Sequence, residues 1–142
     1  MSMFKIFDVA GSGMAAQSLR LNTTASNLAN ANSVASSPDK AYRAREPLFA
    51  AVQADAMAGA GGGDAAVGVR VTGITQSQAP IERHYEPGNP EADAQGYVSM
   101  PNVDTVTEMV DMMSATRAYE ADVTAVNAVK AMAQKALEIG KA

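Results

Sequence analysis

Cysteine and tryptophan are absent from this chain, and histidine occurs once. Without cysteine there is no disulfide framework, no thiolate metal site and no cysteine nucleophile. No apolar run reaches the roughly 18 residues that mark a membrane-spanning helix. Large core residues are scarce too. Of the 142 residues 47% are apolar, yet 29 of these are alanine, and Leu, Ile, Val and Phe together number 25. Each large side chain buried contributes roughly 1.5–3 kcal/mol, so few of them make a small private core. Charge is also sparse, at 18% of residues with a net value of −4. That value lacks the strong self-repulsion of a disordered chain. A pI near 4.9 speaks against non-specific nucleic-acid binding, which needs clustered Lys and Arg. Asp8 interrupts the apolar start of the chain, so no cleaved secretory signal is expected.

Alanine is the best helix former, and both ends of the chain are patterned as helices. From Met3 to Asn32, Phe7, Ala10, Met14, Gln17, Leu21, Thr24, Leu28 and Ala31 follow one another by alternate steps of three and four. That is the seam of a coiled coil, on a helix roughly 45 Å long. Only Lys5, Asp8 and Arg20 carry charge in this stretch. Its other faces hold Ala, Ser, Thr, Asn and Gly, where a solvated helix normally carries charge. Such small surfaces admit close neighbours, and Asn22, Asn27, Asn30 and Asn32 offer them hydrogen-bonding groups. From Val103 to Ile139 a second seam runs through Val106, Met109, Met112 or Met113, Thr116, Tyr119, Val123, Val126, Val129, Met132 or Ala133, and Leu137. Pro101 precedes it, Asn102 or Asp104 can cap its start, and Gly140 stands where a C-cap belongs.

The middle differs in composition. Residues 33–102 hold all six prolines and eight of the eleven glycines. Ser36-Ser37-Pro38-Asp39 and Pro87-Gly88-Asn89-Pro90 are turns. Tyr42 to Val52 reads as a strand in preference to a short helix. Val67 to Thr75 alternates as a strand, and Ile81 to Tyr85 is expected to pair with it. Gly96 to Met100 is a short strand or an extended entry to the last helix. Residues 54–66 read as a flexible Gly-rich loop. The fold class is mainly α. Residues 1–33 and 103–142 supply the helices of a coiled-coil-like bundle, and residues 34–102 form a small β-rich module.

No catalytic constellation emerges. Gly59-Ala60-Gly61-Gly62-Gly63-Asp64 lacks the Lys of a phosphate loop. Glu82, His84 and Glu86 alternate along one stretch, but carboxylates beside a surface His are common and no metal site is assigned. A lone His gives no triad. Catalytic, cofactor and metal sites are therefore set at none. Two long helices bury one face each against one another, and the first is neutral on more than that face. Neighbouring copies or relatives must supply the missing surface. Until they do, the ends are expected to be partly disordered, because ordering costs about 1–2 kcal/mol per residue.

Particular stretches carry a resemblance. Ala25-Ser26-Asn27-Leu28-Ala29-Asn30-Ala31-Asn32 resembles the S-N-[IL]-A-N-x-N signature at the N-terminus of bacterial flagellar axial proteins. Glu108-Met109-Val110-Asp111-Met112-Met113 with Arg117-Ala118-Tyr119-Glu120-Ala121 resembles the C-terminal signature of their rod and hook group. Tyr42-Arg43-Ala44-Arg45 with Leu48-Phe49, and the run from Tyr85 through Asn89, Gly96-Tyr97-Val98 and Pro101-Asn102-Val103, are similar to segments of its proximal rod members. Asn89 stands where that pattern has His, and Ala44 interrupts its paired arginines.

The resemblance implies a structural rod subunit, not an enzyme, in the flagellar basal body. It would be exported unfolded through the type III apparatus and would assemble across the periplasm into a tube that transmits torque. Its partners would be copies of itself, other rod proteins and, during secretion, the export apparatus. No nucleic acid, cofactor or direct membrane insertion is expected. The residues assigned to the assembly interface are Phe7, Met14, Leu21, Asn27, Leu28, Asn30, Met109, Met112, Tyr119, Val123 and Val126. A second proximal rod subunit of the same group, or a small helical adaptor, is the alternative.

Overall fold

A computed structural model of the chain describes residues 3–53 and 67–140. Element order is α1 (Met3–Asn30), β1 (Arg45–Gln53), β2 (Val67–Gln76), β3 (Arg83–Tyr85), β4 (Tyr97–Ser99) and α2 (Thr105–Ile139). Half of the described residues are helical and a fifth lie in strands, so the chain is two terminal helices flanking two small antiparallel sheets. The expected loop over 54–66 lies outside the described residues.

No proline interrupts α1, and its end is closed by side chains. Asn30 Nδ2 donates to Ser26 O at 2.8 Å, and Ser33 Oγ donates to Asn30 O at 2.8 Å. Of the two expected caps for α2, Asp104 is the one used. Its backbone is extended, its Oδ1 accepts from Val106 N at 3.1 Å, and its Oδ2 accepts from Thr107 Oγ1 at 2.6 Å. Those bonds hold the Asp104 carboxyl below its ordinary range, the Thr107 hydroxyl contributing most.

The two helices pair antiparallel. Gly13 lies against Asp122, Arg20 reaches Asp111 at 3.5 Å, and Asn27 reaches Glu108 at 2.8 Å, so rising numbers on α1 meet falling numbers on α2. The seam is made of small residues. Ala10, Ala16, Thr23, Thr24 and Asn27 are buried on α1, Ala31 just past its end, and Ala115 and Val129 on α2. A Cβ added at Gly13 would stand 2.7 Å from Asp122 Oδ2, so a side chain there would require the Asp122 carboxylate to move. Gln17 brings a buried Oε1 to this interior without a hydrogen-bond donor.

The strand expected over Tyr42–Val52 begins at Arg45 and pairs with β2, Arg45 opposite Gln76 and Gln53 opposite Val67. The register shifts between Leu48 and Phe49, where Thr72 is the extra residue and its hydroxyl donates to Leu48 O at 3.2 Å. This hairpin lies along α1. Ser12 Oγ donates to Val9 O at 2.7 Å and accepts from Val69 N at 3.1 Å.

The expected pairing of Ile81–Tyr85 with β2 is not what forms. Strand β3 pairs instead with β4, His84 opposite Val98. The Pro87-Gly88-Asn89-Pro90 turn is the reason, since it folds the chain back on itself within one hairpin. Asn89 closes that turn by donating to Glu86 Oε2 at 2.9 Å and accepting from Glu91 N at 3.0 Å. Gly96 returns the chain at φ 81°, where a Cβ would sit 2.9 Å from Tyr85 Cε2. Ala35 joins the other edge of β4, exchanging two backbone bonds with Ser99 at 3.0 and 2.8 Å. Val98 and Ser99 are thereby buried.

Candidate assembly interface

The residues assigned from the sequence fall into three settings. Asn27 is internal, with 1% of its surface exposed. Phe7, Met14, Leu21, Leu28, Asn30, Met112, Val123 and Val126 are half-buried. Met109 and Tyr119 are exposed, at 51% and 38%.

Asn27 stands at a joint between three segments. Its Nδ2 donates to Arg45 O at 2.9 Å and to Glu108 Oε1 at 2.8 Å. Its Oδ1 accepts from Tyr42 Oη and from Arg45 N, both at 2.9 Å. All four hydrogen-bonding positions of the amide are taken, and they tie α1 to α2 and to the start of β1. Glu108 carries the charge at this joint. Burial pushes its carboxyl above the ordinary range, and the Asp111 and Glu46 carboxylates push the same way; bonds from Asn27 and Thr24 oppose them.

A second joint lies close by. Asn102 Oδ1 accepts from Ala44 N at 2.8 Å, and its Nδ2 donates to Ala79 O at 3.0 Å and Ser77 O at 3.3 Å. Arg43 donates to the same two carbonyls at 3.2 Å. Sequence reading placed Asn102 as a possible helix cap; it is a tether between the connecting segments instead. Nothing in the pattern signalled Glu108 as an internal partner, because a first-turn helix acid reads as dipole compensation.

The second helix keeps part of the seam read from its large residues, Val126 and Val129, toward α1 and leaves Val106 and Met109 of that seam exposed. Ala115 and Val129 face α1, with Ala118, Asp122 and Val126 half-buried beside them. Val106, Met109, Val110, Met113, Leu137 and Ile139 stand more than half exposed. Small residues win the inner face because they let the two backbones approach. Ala115 sits three residues from both Met112 and Ala118, a signal that the larger side chains obscured.

Among the described residues no three His, Asp or Glu side chains converge on a metal-sized site, and no helix is long and apolar enough to cross a membrane.

Residues 7–35 match the family described as flagella basal body rod protein, and residues 94–139 match the C-terminal family of flagellar basal body rod FlgEFG proteins. The Salmonella typhimurium flagellar basal-body rod protein FlgC is 52% identical over 141 residues, which cover 99% of this chain and all of that protein. The chain belongs to the FlgC family. FlgC of Bacillus subtilis is 40% identical over 99% of the chain and 100% of its own length, and FlgC of Borreliella burgdorferi is 37% identical over 98% of each. Membership of the FlgC family makes the chain a structural component of the flagellar basal-body rod, not an enzyme. The two segments matched to rod families contain Asn27 and Glu108, the side chains that clasp them together.

Proposed function

We propose that this rod subunit builds the proximal rod by packing its terminal helices against those of neighbouring copies and other rod proteins. The observation that carries this is the exposed aliphatic surface of α2. Val106, Met109, Val110, Met113, Leu137 and Ile139 are exposed on a helix that buries only Ala115 and Val129. Aliphatic surface of that extent along one helix calls for cover by other chains. In the assembled tube, residues 1–33 and 103–142 form the inner coiled-coil-like layer, and residues 34–102 lie outside it. Phe7, Met14, Leu21 and Leu28 pack with Met109, Met112, Tyr119, Val123 and Val126 within and between subunits, while Asn27 and Asn30 set the direction in which the middle module leaves the helices. Many such helices side by side give a stiff wall that carries torque to the hook. The chain reaches the periplasm unfolded through the type III export apparatus, a route that a thin internal core favours.

Two classes of substitution test this reading. An aspartate at Leu21 or Val123 buries an unpaired charge and should block rod assembly. Met113→Asp is the sharper test, because Met113 is exposed in the single chain. Its effect on monomer stability should stay within about 0.5 kcal/mol, whereas swimming and recovery of the chain in isolated basal bodies should be lost. Normal swimming in Met113→Asp and Val123→Asp cells would refute assembly through these helices.

A further inference from the structure

Four exposed apolar residues near the start of α2 share one strip of its surface. At about 100° per residue, Val106, Met109, Val110 and Met113 fall within an arc of roughly 100°. All four are between 51% and 68% exposed. Ala115 and Val129, the buried residues of this helix, lie on the far side of it. Two of the four carry a thioether, and Met109 and Met113 stand one turn apart. Met14, Met100 and Met112 are half-buried by contrast. With no cysteine in the chain, thioethers are its oxidisable sulfurs.

We propose that Met109 and Met113 form a redox-sensitive modification site: a peroxide converts them to sulfoxides in the unassembled chain, and the modified chain is excluded from the rod. The thioether sulfur attacks one peroxide oxygen, so the S–O bond forms as the O–O bond breaks. Sulfur gives up two electrons, and the proton on the transferred oxygen passes to the departing one, which leaves as water. In the free chain the new oxygens face solvent and are hydrated. Under a neighbouring chain they would meet hydrocarbon from Val106 and Val110, and the adjacent backbone N–H groups are committed to the helix. A polar oxygen covered without a donor is costly. The modification is therefore silent in the monomer and opposes cover of the strip. A dithiol, itself oxidised to a disulfide, removes the oxygen as water and restores the thioether. The inference rests on the rod reading given above and adds a chemical condition to it.

The dilute purified chain, treated with hydrogen peroxide and followed by peptide mass spectrometry, should gain sulfoxide at Met109 and Met113 at least threefold faster than at Met14 and Met112. Equal rates would overturn the site. In cells that make the chain first, receive a peroxide pulse and only then form rods, the chain in isolated basal bodies should carry at least tenfold less sulfoxide at these two positions than the chain left unassembled. Equal content would overturn the exclusion. M109Q/M113Q sets a polar amide where each sulfoxide would stand, with a good helix former. It should unfold at the wild-type urea midpoint yet fall at least tenfold in basal bodies. A lowered midpoint would mean that the strip serves the chain's own fold and would overturn the inference. Full recovery of M109Q/M113Q while Met113→Asp is still lost would overturn it too and leave the rod reading intact. Absence of the wild-type chain from basal bodies would overturn the rod reading itself.

Discussion

Asn27 ties three segments of this molecule through one side chain. Each of its four bonds reaches a different atom, and three separate segments meet at its amide. Asn27→Ala would leave the Arg45 N–H and C=O without their side-chain partner, the Tyr42 hydroxyl with Ser26 alone and the Glu108 carboxylate with Thr24, all in a part-buried place. Leaving such groups unpaired costs about 1–3 kcal/mol for each that water cannot reach. The expected loss is about 3 kcal/mol, read from the urea midpoint of the purified chain. Glu108 gives the same joint a pH dependence. Its carboxyl titrates above the usual value of 4.5 in the folded chain. Between those two values the folded state binds more protons than the unfolded one, so stability falls as pH rises through that window. Asp93 and Asp104 are held low and act in the opposite sense, losing stability only as pH drops below 3.8. Glu108→Gln should flatten the stability profile just above pH 4.5 while leaving the acid limb unchanged. Urea midpoints at four or five pH values would show it, and an unaltered slope would count against a buried charge at this position.

At the scale of elements, the β3–β4 hairpin depends on one backbone conformation. Gly96 lies at positive φ with the Tyr85 ring and Pro87 close beside it. Gly96→Ala meets both the left-handed penalty of about 1–2 kcal/mol and those contacts. The edge-on packing of Tyr85 and Tyr97, with ring centroids 5.2 Å apart, should be disturbed and the near-ultraviolet dichroism of the tyrosines should change. Both helices and this turn were legible in the sequence, because period, proline and glycine are local signals. Strand partners were not: Arg83–Tyr85 and Val67–Gln76 are each plausible neighbours until the turn between Tyr85 and Tyr97 is seen to close. The orientation of α2 was hidden in part. Its period was right and Val126 and Val129 do lie inward, but size alone also favoured Val106 and Met109, which are exposed, and gave no sign of Ala115, which close approach to α1 selects. The joint around Asn27 joins residues 81 positions apart, and no spacing rule reaches that far.

For the whole molecule, the balance between inner and outer surfaces sets behaviour. The helical pair is held by alanines, threonines, Val129 and one amide network, and several large aliphatic residues of α2, Val106, Met109, Val110 and Met113 among them, are exposed. Limited proteolysis of the dilute monomer should therefore trim both ends first and leave fragments of the middle segment, whereas the assembled chain should resist. Uniform resistance of the monomer would mean that the internal seam is stronger than its composition indicates. The alanine seam has a consequence for how a finished rod comes apart. In the proposed array an interior copy would be clamped along its length, but one at either tip would have an outer face bare and only a thin internal grip to fall back on. Dismantling should begin at the tips and advance copy by copy, so the lifetime of the structure is decided by whatever covers its two ends.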